Sequence, residues 1–311
     1  MRNTIVKEFF HLLLCPRCKS EELRLDETAI TCKRCKSIYK ILDGIPVMLI
    51  EDRVEDVSFT TDKWDELYRN SLRAYENIDK YLHSQEVKDV LKYIEPLWGG
   101  KEKCTYMEIG CGPSLIGLHM FKKGHSVIGI DSSHEALKLA QNIYQRQDAN
   151  GFFVCADINN IPIKNNSIDL LYGGGVIEHV NDLDNVVSEL YRIMKPSGMA
   201  FNTVPYLSLG SLSYRQIWGN IPDFPILKQI AEFIHLTLLG GKHMRFGYEK
   251  SFPIYKLKKT FYKAGFKRVN VGFFDCALKF EFVGNKRLEN IFVKLAKYKL
   301  FWPMVYVSSS K

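Results

Sequence analysis

The chain has 311 residues, of which 46% are apolar and 25% are charged, and its formal net charge is +8. This balance excludes a disordered or fibrous chain, and the length allows one large α/β domain plus one small module. The longest uncharged run, at 196–214, is broken by Pro, Gly, Asn and Ser, and no long apolar core precedes Cys15. We therefore expect a cytoplasmic protein with neither a signal peptide nor a membrane-spanning helix.

Two Cys-x-x-Cys pairs lie near the start of the chain, with thirteen residues between them. The four residues are Cys15, Cys18, Cys32 and Cys35. Four thiolates can hold one tetrahedral Zn²⁺ and leave no open coordination position, so we predict a structural zinc ion in a small domain at residues 1–50. Iron is the main alternative metal. The other four cysteines are scattered, as expected for buried apolar residues.

Residues 51–97 are predicted to hold a polar linker followed by helices. The segment EDRVED at 51–56 is polar. Further along, apolar residues recur at helical spacing; they are Ile78, Tyr81, Leu82, Val87, Val90, Leu91 and Ile94. We expect these helices to lead into the main domain.

From residue 98 to 285, strand and helix patterns alternate. The first five predicted strands are 105–110, 126–131, 152–156, 167–173 and 198–204. Alternation of this kind is typical of a doubly wound, parallel sheet with helices on both faces.

The end of this domain has a different pattern. An apolar insertion at 206–250 and a helix are followed by strands at 268–274 and 277–283, which only Asp275 and Cys276 separate. Two residues cannot form a parallel crossover, so we predict an antiparallel hairpin. The expected fold is therefore α/β, with a seven-stranded, mostly parallel sheet that ends in an antiparallel hairpin. Residues 286–311 remain as a basic, aromatic tail.

The segment MEIGCGPSLIG closes the first predicted strand and opens a helix. Gly110 and Gly112 allow a sharp turn and the close approach of a ligand to the backbone. Glu108, just before them, would attract an amine and repel a pyrophosphate. The third glycine of the dinucleotide-binding pattern is replaced by Leu115. Asp131 ends the second strand 21 residues after Gly110, where a carboxylate can accept from both hydroxyls of a ribose.

A second carboxylate, Asp157, ends the third strand and is placed to face an adenine amine, with Ile158 against the ring. Together, Glu108, the glycines, Asp131 and Asp157 predict a site for an amino-acid-bearing nucleoside, S-adenosylmethionine. We include three adjoining positions in this predicted site: Cys111, Ser132 and Gly174.

Residues 104–204 resemble the class I S-adenosylmethionine-dependent methyltransferases, in particular those of quinone biosynthesis and small-molecule metabolism. The resemblance is carried by the motifs EIGCGPS, GIDSS, ADINNIPIKNNSIDLLYGGGVIEHV and LYRIMKPSGMAFNTVP. It implies a Rossmann-like fold whose sheet ends in an antiparallel hairpin. Pro113-Ser114 replaces the x-Gly that is more frequent in the glycine loop.

The N-terminal domain also resembles a known family. The run LLLCPRCK…CKRCKSIYKILDGIPVML is similar to the zinc-ribbon domain of the activator subunits of tRNA and protein methyltransferases. The similarity covers about residues 9–50 and implies a methyltransferase context without indicating a substrate.

His179 is the leading candidate for a general base. It follows the fourth strand in GGGVIEHV, beside Glu178, at the carboxyl edge of the sheet where ligands bind. A histidine is suited to take a proton from an acceptor hydroxyl near pH 7. The alternative is that this pair only lines the pocket or caps the next helix.

The insertion at 206–250 is rich in Leu, Ile, Phe, Tyr and Trp. If it covers the site, its composition favours an apolar or amphipathic acceptor such as a lipid precursor; alternatively, these residues form a small core of their own. Residues 256–311 hold 13 Lys+Arg and 3 Asp+Glu, which favours an anionic partner, either RNA or a membrane surface; the alternative is a solvated basic surface. The basic and aromatic run at 290–307 predicts either contact with an anionic membrane or a further packed helix.

Two other functions remain open at this stage. The first is an RNA methyltransferase that uses the zinc ribbon and the basic C-terminus to bind RNA. The second is a non-catalytic scaffold that binds S-adenosylmethionine. No feature of the sequence indicates an oligomeric state.

Overall fold

The structure is a computed structural model that describes residues 2–50, 64–69, 78–98, 103–244, 246–275 and 285–311. The predicted linker at 51–56, Cys276 and the predicted strand at 277–283 lie outside the described residues.

The N-terminal module, residues 2–50, begins with a helix and continues as a small antiparallel sheet. Its elements are α1 (Arg2–Phe9), β1 (Leu23–Leu25), β2 (Ala29–Cys32), β3 (Ile38–Leu42) and β4 (Ile45–Pro46), with the strands paired in chain order. The two cysteine turns have the same backbone bonds: Cys15 N donates to Ser20 O, and Cys32 N donates to Ser37 O, both at 2.9 Å. The sequence pattern C-x-R-C-K-S therefore forms the same turn twice.

Helices precede the main sheet, as expected. Residues 64–69 are helical, and α2 (Ile78–Leu82) and α3 (Gln85–Ile94) follow. Ser84 caps α3 by accepting from Val87 N. The apolar residues Val87, Leu91 and Ile94 lie on one buried face of α3, which confirms the helical spacing.

The main domain contains a seven-stranded sheet with parallel strands at its centre. The parallel strands are β5 (Thr105–Ile109), β6 (Ser126–Asp131), β7 (Phe152–Cys155), β8 (Ile168–Gly174) and β9 (Met194–Pro205). The helices between them are α4 (Leu115–Lys122), α5 (His134–Arg146) and α6 (Leu183–Ile193). The doubly wound, mostly parallel sheet is thus confirmed.

The antiparallel end of the sheet includes a strand from the last residues of the chain, β13 (Met304–Ser310). Strand β12 (Lys267–Phe273) pairs with β13, and β13 lies between β12 and β9, antiparallel to both. The strand predicted at 277–283 lies outside the described residues, so its pairing stays a prediction. Strand β13 belongs to the sheet although it lies beyond residue 285, where the sequence places the end of the domain. Val305 and Val307 are fully buried there, and this burial holds the chain end in place.

The insertion between β9 and the last sheet strands forms a separate layer. It holds β10 (Ile221–Pro222), α7 (Pro225–Glu232), a π-helical turn over Phe233–Leu238 and β11 (Lys250–Ser251), which pairs in parallel with β10. Helix α8 (Ile254–Ala264) and α9 (Lys286–Leu295) follow. Helix α9 lies within the segment predicted as a basic, aromatic tail, and none of its residues is buried.

The N-terminal module packs against the edge strand β7. Val47 pairs in parallel with Cys155, and Met48 N donates to Cys155 O at 2.7 Å. Leu14 N donates to Pro162 O at 3.1 Å, so a second segment of the module is also held. The module is therefore attached to the edge of the main sheet, and both share one apolar core.

Alternate residues of the central strands contact opposite faces of the sheet. Met107 and Ile109 join the apolar core shared with α6, α8 and the module, whereas Tyr106 joins the core formed with α3, α4 and α5. Among the described residues, no helix is long and apolar enough to cross a membrane.

Candidate active site

A cavity of about 540 Å³ lies at the carboxyl ends of the parallel strands. Its lining includes seven of the predicted site residues: Gly110, Asp131, Ser132, Asp157, Ile158, Gly174 and His179. Three predicted residues, Glu108, Cys111 and Gly112, are not among the lining residues. The volume lies within the range of roughly 300–1,000 Å³ that small-molecule sites occupy.

Asp131 lies at the end of β6 with both carboxylate oxygens held by backbone donors. Gly112 N donates to Oδ2 and Ser133 N donates to Oδ1, each at 2.9 Å. Burial raises the pKa of Asp131 to about 6. The carboxylate is therefore fixed in one orientation at the cavity wall, and each oxygen retains a lone pair for a hydroxyl donor.

The glycine loop brings the backbone close to the cavity. Gly110 has φ +54°, and a Cβ atom there would lie 2.5 Å from Val176 Cγ2. Ser114 also adopts the left-handed conformation, with φ 51° and ψ 47°. The substitution of the usual glycine by Ser114 thus leaves the loop in a glycine-like conformation, and the Ser114 hydroxyl donates to Glu108 Oε2 at 3.0 Å.

Glu108 lies beneath the loop. Its Oε2 accepts from Ser114 Oγ and from Gly117 N, both at 3.0 Å, so it supports the start of α4. Burial raises the pKa of Glu108 to about 7. The predicted contact with a ligand amine stays a prediction, and the described geometry assigns this carboxyl to positioning the loop. Cys111 is likewise buried in the core of α3, α4 and α5.

Asp157 and Ile158 follow β7, which is separated from β5 and its glycine loop by one strand of the sheet, β6. Asp157 caps a short 3₁₀ turn: its Oδ1 accepts from Asn159 N at 2.8 Å and from Asn159 Nδ2 at 2.9 Å. These two bonds orient the carboxylate at the rim of the cavity. Ile158 follows directly and also lines it.

An aromatic wall of the cavity was missed by sequence reasoning. Trp64 and Tyr68 line the cavity, and their rings stack with centroids 5.8 Å apart. Trp64 also stacks on Phe246 of the insertion at 6.1 Å and lies edge-on to His179 at 6.4 Å. The only signal was the spacing of Trp64 and Tyr68 in WDELY, which places both on one helix face.

His179 has a defined tautomer. Its Nδ1 lies 2.8 Å from Tyr248 O, and since a carbonyl only accepts, Nδ1 carries the proton. Burial lowers the pKa of His179, which keeps the imidazole neutral near pH 7. The lone pair is therefore on Nε2, and the ring contributes to the cavity lining.

Two buried carboxyls adjoin His179. Ligand atoms of Glu178, His179 and Glu249 lie within 4.8 Å of one another. Burial, with Glu249 nearby, raises the pKa of Glu178 well above its usual value. Glu178 Oε2 has no hydrogen-bond partner among the described residues, whereas Glu249 Oε1 accepts from Asn220 Nδ2 at 2.9 Å. This group can hold a proton or a cation beside the cavity.

The apolar residues of the insertion do not line the cavity. None of the described residues at 206–244 and 246–250 is among the lining residues. The insertion has a small core of Ile221, Ala231 and Met244. We expected the apolar residues of the insertion to surround an acceptor, and the described residues do not do so. Only these three residues form the separate small core that was the alternative.

The four clustered cysteines come together in the N-terminal module. The Sγ atoms of Cys15 and Cys35 are 3.5 Å apart, those of Cys18 and Cys32 are 3.6 Å apart, and all four lie within 4.8 Å of one another. A tetrahedral ion with Zn–S bonds of about 2.3 Å requires S–S distances of roughly 3.8 Å. The donor set and its spacing fit such an ion.

Comparison with known proteins agrees with this geometry. Residues 107–202 match a family model described as a methyltransferase domain. The malonyl-[acyl-carrier protein] O-methyltransferase of Enterobacter lignolyticus is 34% identical over 120 residues, which are 38% of this chain and 45% of that protein. The ubiquinone biosynthesis O-methyltransferase of Coxiella burnetii is 30% identical over 111 residues, which are 36% and 47%. The chain spans about half the length of these curated relatives.

A solved structure matches the fold over a larger part of the chain. It is phosphoethanolamine N-methyltransferase 2 of Haemonchus contortus, in complex with phosphomonomethylethanolamine and S-adenosylhomocysteine. The TM-score is 0.54 at 19% identity, and the match covers 81% of this chain and 60% of that chain. The chain therefore has the Rossmann-like methyltransferase fold, and residues 107–202 match a methyltransferase domain, as the sequence predicts.

Proposed function

We propose that this protein transfers a methyl group from S-adenosylmethionine to a small apolar or amphipathic acceptor, such as a lipid precursor. One observation carries the proposal: Asp131, fixed by Gly112 N and Ser133 N, lies at the wall of a cavity of about 540 Å³ whose lining also includes the Gly110 turn. A carboxylate held in this way can accept hydrogen bonds from two neighbouring hydroxyls.

The residues present fit this cofactor. Asp131 would hold the ribose, Asp157 would accept from the adenine amine, and Ile158 would contact the ring. Gly110 would allow the close approach of the amino-acid part. Bound S-adenosylmethionine supplies an electrophilic methyl group on a sulfonium.

In this proposal His179 takes the proton of the acceptor. The Nδ1–H bond to Tyr248 O orients the ring, and the lone pair on Nε2 would receive the hydroxyl proton of the acceptor. The acceptor oxygen would take the methyl group whose bond to the donor sulfur breaks, which would leave a neutral thioether. The lowered pKa of His179 keeps it in the neutral form that this step requires. Trp64 and Tyr68 exclude water from one side of the cavity.

The class of acceptor is supported by the cavity wall and by the relatives. Trp64, Tyr68, Val176 and Val180 present apolar surface to the cavity. The curated relatives are named for O-methylation of malonyl-acyl-carrier protein and for ubiquinone biosynthesis. Both names favour transfer to oxygen on a small or carried metabolite.

Cofactor binding is tested by calorimetry with S-adenosylmethionine. We expect Asp131→Asn to weaken binding by about tenfold or more, as the loss of a charged hydrogen-bond acceptor implies. Asp148→Asn, at an exposed position after α5, is the matched control and should bind as the parent does. Absence of binding by the parent protein would overturn the proposal.

The pH dependence gives a second measurement. Because the pKa of Asp131 is about 6, its carboxylate is increasingly protonated below that pH and accepts hydroxyls less well. Affinity should therefore decrease from pH 7 to pH 5 in the parent protein and show a weaker dependence in Asp131→Asn.

The acceptor is sought by incubating the protein with methyl-labelled donor and a cell extract. Label in the solvent-extractable small-molecule fraction supports the proposal. Label in the RNA fraction would favour the RNA alternative, and donor binding without any transfer would favour the scaffold. His179→Gln should retain donor affinity and lose turnover; unchanged turnover would remove His179 as the base.

We also propose that Cys15, Cys18, Cys32 and Cys35 bind a structural Zn²⁺. The Sγ distances and the closed four-thiolate set support this. Cys32→Ser should lower the metal content from about one ion per chain towards zero and reduce amide protection in β1–β4. Cys104→Ser, a buried cysteine outside the cluster, should retain the metal. One ion per chain in Cys32→Ser, or iron instead of zinc, would contradict the assignment.

A further inference from the structure

The insertion contains a helix whose apolar residues face outward. This insertion helix comprises α7 and the following π-helical turn, residues 225–238. Ile226 is 66% exposed, Phe233 is 55% exposed and Leu238 is 64% exposed. Further exposed apolar residues of the insertion are Leu209, Leu212, Ile217, Phe224, Leu227, Ile230, Ile234, Leu236 and Leu239. A helix on the surface of a water-soluble domain normally turns such residues towards the core.

The side of this helix that faces inward is mostly polar. Lys228, Ala231, Glu232 and His235 follow the spacing i, i+3, i+4, i+7, and Ala231 and His235 are buried. His235 Nδ1 lies 2.9 Å from His243 Nε2, and Tyr248 Oη donates to Glu232 Oε1 at 2.6 Å. Polar contacts thus hold the helix in an orientation that exposes its apolar side.

The exposed surface continues into a basic segment. Tyr214 contacts Phe292 of α9 with ring centroids 6.4 Å apart, and Leu209 N donates to Leu300 O at 3.0 Å. Residues 285–311 hold six Lys+Arg and one Asp+Glu. Five of the basic residues are exposed: Lys286, Arg287, Lys294, Lys297 and Lys299. Leu288 and Ile291 on α9 are exposed as well.

We propose that the insertion helix, together with α9, is a docking surface for an anionic lipid bilayer. An amphipathic helix lies in the plane of a membrane with its apolar side among the acyl chains, and neighbouring Lys and Arg bind anionic headgroups. Here the insertion helix supplies the exposed apolar side, and α9, which the insertion contacts, supplies the exposed Lys and Arg. The exposed apolar set is larger than scattered surface residues would explain.

The insertion also contacts the wall of the cavity. Phe246 stacks on Trp64, and Tyr248 O accepts from His179 Nδ1. Docking through the insertion would therefore hold the cavity near a membrane surface, where an apolar acceptor is concentrated. This last consequence rests on the proposed function, whereas the docking surface itself does not.

Binding to vesicles tests the surface without cofactor or acceptor. The full chain is sedimented with vesicles of phosphatidylcholine containing 30% phosphatidylglycerol and, separately, with pure phosphatidylcholine. We expect partition into the anionic vesicles to exceed that into the neutral ones and to decrease in 0.5 M NaCl. The double variant Ile226→Gln/Phe233→Gln should lower partition by about tenfold or more, since two apolar side chains lose their burial in lipid.

The matched control is Ile38→Gln/Leu42→Gln on the N-terminal module, which changes two other exposed apolar residues and should leave partition unchanged. Both variants should keep the thermal midpoint of the parent, because the altered side chains are exposed. Equal sedimentation with and without vesicles would overturn the proposal. So would a dimer in sedimentation velocity that Ile226→Gln/Phe233→Gln dissociates while vesicle binding is absent. Because no cofactor is present, failure of methyl transfer would leave this result intact.

Discussion

The N-terminal module and the insertion are of similar length, yet they dispose of their apolar residues in opposite ways. In the module, Leu13 and Met48 are 1% exposed and pack into the core of the main domain. In the insertion, Ile226 and Phe233 face outward, and the buried His235 contacts His243 of the same segment. Apolar composition therefore does not by itself indicate which surface a segment covers; the spacing of its polar contacts is equally informative.

The largest effect is expected at the junction of the module with β7. Met48→Ala removes a fully buried side chain and should lower the free energy of unfolding by about 2–5 kcal/mol. Ile38→Ala, on the exposed side of β3, should change it by less than about 0.5 kcal/mol. Urea denaturation followed by circular dichroism measures both. Separate unfolding of the module in the parent protein would contradict this expectation, since it would show that the shared core does not couple the module to the main domain.

An intermediate effect is expected on acidification, and of the two regions compared it should affect the insertion and not the module. Burial lowers the pKa of His235, next to His243, so the unfolded form binds protons first as the pH falls below about 6.5. Stability of the insertion should then fall by about 1 kcal/mol or less between pH 7 and pH 6. Hydrogen exchange, corrected for intrinsic rates, should show a loss of amide protection at 225–238 and no loss of protection in β2 or β3. His235→Gln should remove most of this difference; an equal loss in the module would contradict it.

The smallest effect concerns a single ion pair between the module and α6. Lys19 Nζ lies 2.7 Å from Glu189 Oε2, and Glu189 also contacts Arg192. Because Lys19 is partly exposed, Lys19→Met should cost only about 0.5–1 kcal/mol, and the difference should shrink in high salt. Arg24→Met breaks an exposed pair with Asp26 inside the module and should cost less. The denaturation midpoints at two salt concentrations separate these outcomes, and a larger cost for Arg24→Met would reverse the expected order.

Several features of the site were predictable because their signals are local. The glycine loop, Asp131 and Asp157 follow consecutive strands, and the carboxyl ends of parallel strands meet at one edge of a sheet. Seven of the predicted residues accordingly line one cavity. Glu108 does not line the cavity. Its carboxylate points towards two donors, Ser114 Oγ and Gly117 N, whose positions depend on how the loop folds.

Other features depend on residues far apart in the chain. Trp64 reaches the cavity from a helix that precedes the sheet, and Glu249 joins Glu178 from a segment about 70 positions later. Strand β12 pairs with β13, which lies about 30 positions later in the chain. Burial of Val305 and Val307 between β12 and β9 stabilises this pairing.

The sequence by itself determined the parallel sheet, the glycine turn, the acidic residues at strand ends and the four-cysteine cluster. Each of these depends on residue type and spacing over about twenty positions, within which backbone geometry leaves few alternatives. Only the tertiary structure decided the neighbours of β13, the attachment of the module to β7, and the outward side of the insertion helix. These depend on which distant surfaces exclude water from one another, and local spacing carries no information about that choice.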